Sequence, residues 1–486
     1  MTIDRREFLK VAGLQAGLIA AGAKSLEAAA TATTAPAVAA PAVSKRRATY
    51  DVVVIGAGCW GGWTALNLQQ QGAKVLMIDE WGPGNARSTS GDETRGVRSS
   101  YGDHPAPAGE VWARWARKAM AKWIEFDATW GKEMKIQHFF QCGDLIFRPA
   151  PEPFTTHTRE NWDKLKIKYE VLPVDEVRYR WPVYNLTDMN LVLYEPDAGM
   201  VRARRSCESV AGIFKSLGGT MLLSRAWPTM AVNGKMKQVQ LSNGDLLEAP
   251  TFVFAVGPWF PKVFPDLMGK RMRTPMGNVG YFGPPAGDMR FRFPNLPTWN
   301  YPGVTGWPAI PDDDSGFRVR TGGGTETDPD TSSRWLSEEQ TKRLKDFVAT
   351  KFPALAGAPL LRTHSCHYEI GTGRNFMVDK HPQMENVWLA GSGMAEGFKF
   401  GPVIGEYVAN RVLGHDLEPE LAVQYKVPTQ TIADVPAGGS GRGGQGGGRG
   451  QGAPAGQPGR SGQPAPAKPP LPKPPLDGEL DAEVAW

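Results

Sequence analysis

One stretch, residues 50–80, constrains the fold of this chain more than any other. It opens with the unbroken apolar run VVVI at 52–55, which is typical of a parallel strand buried on both faces. Gly56, Gly58 and Gly61 follow in GxGxxG spacing. In that order they allow a tight turn, let the backbone approach a pyrophosphate, and let a helix pack closely on the strand. The start of that helix offers N–H groups and a positive dipole end to phosphates.

The residues around these glycines favour a dinucleotide site over an ordinary βαβ turn. GxGxxG alone is weak evidence in a chain with 57 glycines. A second apolar run at 74–78, however, ends in Asp79, whose carboxylate would accept hydrogen bonds from a ribose hydroxyl. Strand, glycines, helix and acid occur in the order that a Rossmann-like domain requires. The motif alone does not separate NAD from FAD.

The first 45 residues, 1–45, are interpreted as a targeting segment and not as part of the fold. Arg5 and Arg6 open RREFLK, an apolar run covers 11–23, and an Ala/Thr/Pro-rich spacer follows. This is similar to a twin-arginine export signal, although Asp4 stands where Ser or Thr is usual, and it implies a periplasmic or secreted protein. The apolar run is shorter than the roughly 20 residues of a comfortable membrane span, so a membrane anchor is the less favoured alternative.

The other end of the chain, 430–486, is expected to be a disordered tail. Its Gly, Gln, Arg, Pro and Ala residues offer little to bury, which favours a solvated tail over a tether for a partner. Part of the net charge of +5 lies in this tail. Because the rest of the chain has no basic and aromatic recognition motif, we expect no nucleic-acid partner.

The chain between these two ends is too long for one ordinary core and predicts two domains. A short buried strand is expected at 251–256, closing on Gly257, and it returns the chain to the first domain. We therefore expect an α/β fold with a discontinuous Rossmann-like domain and a second α+β domain with a mixed sheet. The expected ranges are 46–135, 190–262 and 363–425 for the first domain, 136–189 and 263–362 for the second, 1–45 for the signal and spacer, and 430–486 for the tail.

Residues 88–102, STSGDETRGVRSSYG, are expected to form a loop beside the dinucleotide site. Arg95 and Arg98 would lie on one side of this loop if it formed a helical turn, and they would offer two permanent cations. A solvated pair of arginines on a loop is the alternative.

Residues 362–405 contain the last motifs that bear on the function. They predict a strand, a glycine turn at Gly391 and Gly393, and a closing helix directly after Lys399. With the opening βαβ unit and the paired arginines, this order resembles the D-amino-acid-oxidase superfamily of FAD enzymes. The resemblance is greatest to its branch of monomeric sarcosine oxidase, N-methyltryptophan oxidase and fructosyl amino acid oxidase, and it covers about 50–413.

The resemblance implies how FAD is held. The first glycines and Asp79 would hold its ADP half, and Cys366 matches the cysteine through which this branch attaches the flavin 8α carbon as a thioether. A buried free thiol is the alternative for Cys366. The residues with an implied cofactor contact are Gly56, Gly58, Gly61, Asp79, Cys366, Gly391, Gly393, Gly397, Phe398 and Lys399.

The resemblance also implies the groups at the reacting centre. Arg95 matches the family arginine close to the flavin, and Tyr368 matches the active-site tyrosine. Arg98 and Lys399 match the pair that binds the substrate carboxylate. The guanidinium of Arg98 can form two parallel hydrogen bonds with it, and the ammonium of Lys399 acts as a point charge. Arg318 stands where the family has its oxygen-activating lysine. Because arginine keeps the charge but cannot give up a proton, a quinone or cytochrome becomes an alternative electron acceptor.

The implied activity is oxidation of the C–N bond of a secondary amine or amino acid. Hydride would pass to the flavin and leave an imine that water hydrolyses, with oxygen as acceptor giving hydrogen peroxide. The alternatives are an exported dehydrogenase with a quinone or cytochrome acceptor and a flavin-binding protein without turnover. The second glycine turn and the cysteine disfavour an NAD-dependent dehydrogenase. Glu396 hints at a substrate with a cationic group, and a monomer without a stable membrane span is expected.

The four cysteines lie far apart without CxxC spacing and predict neither a disulfide framework nor a zinc site. A metal site made of His364, Cys366 and His367 is disfavoured, because a strand here would turn His367 away from the other two side chains. We therefore expect FAD as cofactor and no metal.

Overall fold

The computed structural model describes residues 49–104, 107–312, 315–322, 327–415 and 417–434. The expected signal at 1–45 and all but the first residues of the expected tail at 430–486 lie outside these ranges. None of the helices within these ranges has both the length and the hydrophobicity that a membrane span requires.

The described chain contains both helices and strands. The helices are α1 (Cys59–Gln70), α2 (Ala108–Phe126), α3 (Lys132–Met134), α4 (Pro153–Lys164), α5 (Val174–Arg180), α6 (Ala203–Ser216), α7 (Phe260–Val263), α8 (Pro265–Met268), α9 (Glu338–Lys351), α10 (Gly401–Val412) and α11 (Pro419–Gln424). The strands are β1 (Val52–Ile55), β2 (Val75–Asp79), β3 (Thr94–Val97), β4 (Phe139–Gln141), β5 (Asp144–Arg148), β6 (Glu170–Leu172), β7 (Leu191–Glu195), β8 (Gly199–Arg202), β9 (Thr220–Leu223), β10 (Ala226–Pro228), β11 (Ala231–Val232), β12 (Lys235–Met236), β13 (Gln238–Leu241), β14 (Leu246–Glu248), β15 (Thr251–Phe254), β16 (Met272–Arg273), β17 (Met276–Phe282), β18 (Thr298–Tyr301), β19 (Val304–Trp307), β20 (Phe317–Thr321), β21 (Leu360–His367), β22 (Ile370–Gly371), β23 (Met377–His381) and β24 (Met384–Gly391).

A six-stranded sheet in the order β23-β24-β15-β1-β2-β9 carries the first predicted motif. Its strands are parallel except for β23 at one edge, which runs antiparallel to β24. Parallel strands end at the same edge of a sheet, so the turns that follow β1, β15 and β24 come together there. This edge is where the sequence predicts the dinucleotide.

The side chains of β1 divide between two cores, which explains why the run at 52–55 is apolar throughout. Val52 and Val54 pack in a core that also contains residues of α1, while Val53 and Ile55 pack in a core on the opposite face. All four side chains are buried. A strand covered on both faces needs apolar residues at every position.

A second, eight-stranded sheet has the order β21-β17-β20-β19-β18-β5-β7-β6. It is mixed, because β18 and β5 pair in parallel while the other neighbours are antiparallel. Trp299, Phe317 and Phe352 pack in the aromatic core of this sheet. The predicted α/β fold class, with a Rossmann-like sheet and a second mixed sheet, is confirmed.

Two strands near the expected domain boundaries pair in the eight-stranded sheet. They are β7, inside the expected range 190–262, and β21, which overlaps the expected range 363–425. Periodicity indicates that a segment is a strand but not which strand it pairs with. The domain ranges therefore stay a prediction.

Candidate active site

One cleft runs from the glycine turn after β1 to β19 and β20 of the eight-stranded sheet, and its empty space, open mouth included, is about 1620 Å³. Gly61 is the one predicted site residue that does not line it, since it lies within α1 beneath the turn. The predicted residues that do line it are Gly56, Gly58, Asp79, Arg95, Arg98, Arg318, Cys366, Tyr368, Gly391, Gly393, Gly397, Phe398 and Lys399.

The turn between β1 and α1 fits a dinucleotide pyrophosphate. Gly56 has a φ of +108°, and a Cβ there would lie 2.3 Å from the carbonyl oxygen of Ala255. A Cβ on Gly61 would lie 1.9 Å from the carbonyl oxygen of Gly56, so the helix packs closely on the turn. Around Gly58 there is space, since the nearest atom to a Cβ would be Ser90 Oγ at 3.4 Å. Gly58 is also the N-cap of α1 and has no side chain of its own there, while the N–H of Cys59 donates to Ser90 Oγ at 3.0 Å.

Asp79 ends β2, as predicted, and stabilises the glycine turn through hydrogen bonds. Its carboxylate accepts hydrogen bonds from the backbone N–H groups of Ala57 at 2.8 Å, Trp81 at 2.9 Å and Gly82 at 2.8 Å. Burial raises the pKa of Asp79 despite these bonds. Oδ2 carries only the Ala57 bond among the described residues, so this oxygen has a lone pair for a ribose hydroxyl.

Cys366 is buried near the end of β21, beside Arg95 and His364. Arg95 Nη2 lies 3.6 Å from its sulfur. Burial alone would raise the pKa of the Cys366 thiol, but His364 and the charge of Arg95 outweigh burial and lower the pKa to about 7. A substantial fraction of this side chain is therefore thiolate, the nucleophilic form, at neutral pH.

Asp92, which the sequence analysis did not single out, holds two of the predicted arginines. One oxygen accepts hydrogen bonds from Arg318 Nε at 3.1 Å, from Arg318 Nη2 at 2.6 Å and from Arg95 Nη1 at 2.6 Å. The other accepts the hydroxyl of Tyr281. Arg318 is also stacked over the ring of Trp307 at 4.4 Å. Burial alone would raise the pKa of Asp92, but the charges of Arg318 and Arg95 hold it well below its ordinary value.

The expected loop at 88–102 is wrong in part, because β3 pairs antiparallel with β8. Arg95 and Arg98 therefore do not share one side of a helical turn. Arg95 contacts Asp92, whereas Arg98 Nη2 lies 3.8 Å from Glu396 Oε1. Strand pairing with a distant segment overrode the local preference of small polar residues for a loop.

Lys399 lies in a short 3₁₀ turn ahead of α10, and its Nζ is 2.5 Å from Glu396 Oε2. The structure thus brings Arg98 and Lys399 together and places the carboxylate of Glu396 against both. Glu396 is paired with the two cations of the chain, whereas the sequence analysis links it to a cationic group of the substrate.

Arg320 is a second side chain that the sequence analysis missed. It lines the cleft, and its guanidinium lies 5.3 Å from the centre of the Tyr368 ring. Burial lowers the pKa of Arg320, and it makes no ion pair within the described ranges. Its position in the sequence could have indicated this role. Arg320 lies two residues after Arg318 on β20, and residues with this spacing lie on the same face of a strand.

Comparisons with known proteins agree with this geometry. Residues 51–411 match the DAO family, described as FAD dependent oxidoreductase. Monomeric sarcosine oxidase of Arthrobacter sp. (strain TE1826) is 25% identical over 392 residues, which cover 77% of this chain and 95% of that protein. N-methyl-L-tryptophan oxidase of Yersinia pestis (strain Pestoides F) is 24% identical over 371 residues, covering 74% and 94%.

Among solved structures, L-proline dehydrogenase from P. horikoshii superimposes with a TM-score of 0.66 and 19% identity, over 78% of this chain and 97% of that one. At this identity the likeness concerns the fold. The family match covers most of the chain, and the glycine turn, the start of α1 with glycine as its N-cap, and Asp79 fit an FAD. This chain belongs to the DAO family of FAD-dependent oxidoreductases.

Proposed function

We propose that this chain oxidises the C–N bond of a secondary amine or amino acid to an imine, which water then hydrolyses. The observation that carries the proposal is the single cleft that joins the glycine turn to Arg95, Arg98, Tyr368 and Lys399. The sarcosine and N-methyl-L-tryptophan oxidases among its relatives support the class of bond. When bound, FAD supplies the acceptor for the hydride.

The residues of the chain would bind and orient the reactants. Gly56, Gly58 and the start of α1 would hold the pyrophosphate, and Asp79 the ribose. Arg95 and Arg320, beside Cys366 and Tyr368, would provide positive charge where negative charge develops on reduction. Loss of hydride from the carbon next to the neutral amine nitrogen requires no side-chain base, since the nitrogen lone pair forms the C=N bond of a protonated imine, which water then attacks. The contribution of the protein is therefore position and electrostatics.

Cys366 is proposed as the point of covalent attachment of the flavin, through a thioether. Two observations support this role. Its pKa is lowered to about 7, and the cation of Arg95 lies 3.6 Å from the sulfur. Cys142, by contrast, has a pKa raised to about 12 by burial and does not line the cleft.

Oxygen, giving hydrogen peroxide, is the proposed acceptor, and a quinone or cytochrome is a second candidate that one observation favours. Arg318 is held by Asp92 through two hydrogen bonds and is stacked on Trp307. A fixed arginine provides charge but no transferable proton. The export signal proposed at 1–45 would place the protein where membrane quinones and cytochromes are accessible; replacing Arg5 and Arg6 by lysine should retain it inside the cell.

The experiment that tests this function uses the full chain with its FAD and a panel of secondary amines and N-methyl amino acids. The released carbonyl product and hydrogen peroxide are measured separately, with and without an added quinone. Carbonyl with equal peroxide supports the oxidase, and carbonyl that depends on the quinone supports the dehydrogenase. Absence of carbonyl under every condition would contradict the function.

A further inference from the structure

Two buried cations of the cleft, Arg98 and Lys399, already face a carboxylate of the chain itself. Glu396 Oε2 is 2.5 Å from Lys399 Nζ, and Glu396 Oε1 is 3.8 Å from Arg98 Nη2. The exposed fractions of the three side chains are 7% for Arg98, 3% for Lys399 and 15% for Glu396. We call these three residues the clamp. One carboxylate thus faces both cations that would otherwise attract the carboxylate of a substrate.

The position of Lys399 is fixed by its own turn. Its Nζ also donates a hydrogen bond to the backbone carbonyl oxygen of Glu396 at 3.0 Å. The rings of Tyr101 and Phe400 lie 5.4 and 5.3 Å from the same nitrogen. The ammonium is therefore directed to the side chain and the backbone of Glu396, and it has fewer donors left for an incoming anion.

The charge of Arg98 is also compensated from other elements. Asp144 and Asp103 act on its guanidinium in addition to Glu396, and together these carboxylates raise its pKa despite burial. A substrate carboxylate that entered the clamp would meet the repulsion of Glu396 at close range in a site with little water. At Lys399, 2.5 Å from Glu396, it would have to displace that carboxylate, and at Arg98, 3.8 Å from Glu396, it would bind beside the charge of Glu396.

We propose that Glu396 takes the place of a substrate carboxylate, so that the chain selects amines without a carboxylate next to the reactive carbon. This inference rests on the proposed function and narrows its substrate class. The carboxyl group that an amino acid would bring is supplied by the protein, which lowers the formal charge of the clamp from +2 to +1, and the clamp accepts an uncharged substituent at that position. Glu396 is then a specificity-determining residue, since it acts on the substrate through the charge of Arg98 and Lys399.

The test compares a carboxylate with its neutral isostere. Full-length holoenzyme is titrated by calorimetry with propionate and with propionamide, neither of which can be oxidised as an amine. The wild type should bind propionate no better than propionamide. Glu396→Gln should bind propionate at least about tenfold more tightly, about 1.4 kcal/mol, and propionamide as before. Glu385→Gln, which removes a carboxylate 2.9 Å from Lys235 at an exposed site, should match the wild type for both ligands.

Wild-type preference for propionate by tenfold or more, or an unchanged ratio in Glu396→Gln, would overturn the inference. A second variant covers the case that the unpaired lysine unfolds the protein. In Glu396→Gln with Lys399→Gln the net charge of the clamp is unchanged, and Arg98 is no longer covered. Propionate should then bind at least as well as in the wild type, whereas weaker binding would show that Lys399 was an open carboxylate site.

A substrate pair separates this inference from the proposed function. Sarcosine and its amide, N-methylglycinamide, differ only in the carboxylate, and the amide should reduce the wild-type flavin at least about tenfold faster under anaerobic conditions. Faster reduction by sarcosine would overturn the inference while supporting the proposed function. Reduction by no amine at all would contradict the proposed function, and the calorimetric ratio, which requires no turnover, would still decide the role of Glu396.

Discussion

Asp92 and Arg318 form an ion pair in which both side chains are 1% exposed, with hydrogen bonds of 3.1 and 2.6 Å from the Nε and Nη2 of the arginine. The same aspartate oxygen accepts a hydrogen bond from Arg95 at 2.6 Å. Arg95 lies on β3, in a three-stranded sheet of the order β3-β8-β4, and Arg318 lies on β20, in the eight-stranded sheet. One buried carboxylate therefore fixes the positions of two cations of the cleft.

Replacement of Asp92 should destabilise the fold strongly. In Asp92→Asn two buried guanidinium groups lose their counter-charge, and breaking a buried pair in this way costs about 3–5 kcal/mol of unfolding free energy. Denaturant unfolding of the full chain measures the change. Asp175→Asn is the control, because Asp175 pairs with Arg178 at 2.6 Å but is 91% exposed, and its loss should cost at most about 1 kcal/mol. Equal effects of the two substitutions would contradict a buried pair.

The stability from Asp92 should also depend on pH in one direction. The pKa of Asp92 in the folded protein lies well below its ordinary value of about 3.9. The stabilisation is therefore fully present above that ordinary value and is lost as the pH falls toward the folded pKa. Wild type and Asp92→Asn should accordingly differ less in acid than at neutral pH.

Covalent attachment at Cys366 should be visible after acid precipitation. The yellow colour should stay in the pellet of the wild type and move to the supernatant in Cys366→Ser. Because the pKa of Cys366 is lowered to about 7, the rate at which apo-protein binds FAD covalently should rise with pH up to about 7 and then level off.

Cys142→Ser is the matched control for attachment, since Cys142 is half-buried and lies outside the cleft. Its pellet should stay yellow. Colour released from the wild type would leave a non-covalent flavin and would remove the proposed role of Cys366. A rate that keeps rising toward pH 9 would indicate an ordinary thiol in place of the lowered pKa.

Arg318→Lys should speed the reaction of the reduced protein with oxygen. Lysine keeps the positive charge beside Asp92 and adds a proton that can be transferred, which arginine lacks. Proton transfer by a positioned group contributes about 10²-fold or more, so an increase of at least about tenfold is expected. The measurement mixes anaerobically reduced protein with oxygenated buffer. Rapid oxidation of the wild type, unchanged by the substitution, would show that the fixed arginine is no obstacle.

Two adjacent glycines of α1 should respond to alanine in opposite directions. A Cβ on Gly61 would lie 1.9 Å from the Gly56 carbonyl oxygen, so Gly61→Ala should cost about 1–3 kcal/mol and weaken FAD retention. At Gly62 the nearest atom would be Val210 Cγ1 at 3.5 Å, an ordinary contact, and Gly62→Ala should gain up to about 1 kcal/mol from helix propensity. Similar effects of both changes on unfolding and on bound flavin would contradict the close approach of helix and turn.

The parts of the site that the sequence predicts are those fixed by local constraints. The apolar run of β1, the glycines and Asp79 act on neighbours within one βαβ unit, and each lies where it was predicted. The contact of Arg95 with Cys366 joins residues 271 apart, and that of Arg318 with Asp92 residues 226 apart. No periodicity encodes such contacts, and the family resemblance supplied the partners only for the residues that its motifs contain.

The structure differs from the predictions where a contact joins residues that are distant in the sequence. The strand β3 exists because it pairs with β8 about a hundred residues further along the chain, so the small polar residues at 88–102 gave no local sign of it. The pairing of Glu396 with Lys399 is short-range, yet its meaning depends on Arg98, which reaches it from another segment. Local sequence therefore located the glycine turn and Asp79 better than the surroundings of Arg98 and Lys399.

Anaerobic mixing of the holoenzyme with an excess of secondary amine tests the central claim most directly. The account predicts loss of the visible absorbance of oxidised flavin, together with one carbonyl product per flavin after the imine is hydrolysed. A flavin that stays oxidised with every amine and N-methyl amino acid of the panel, while a chemical reductant bleaches it normally, would contradict it.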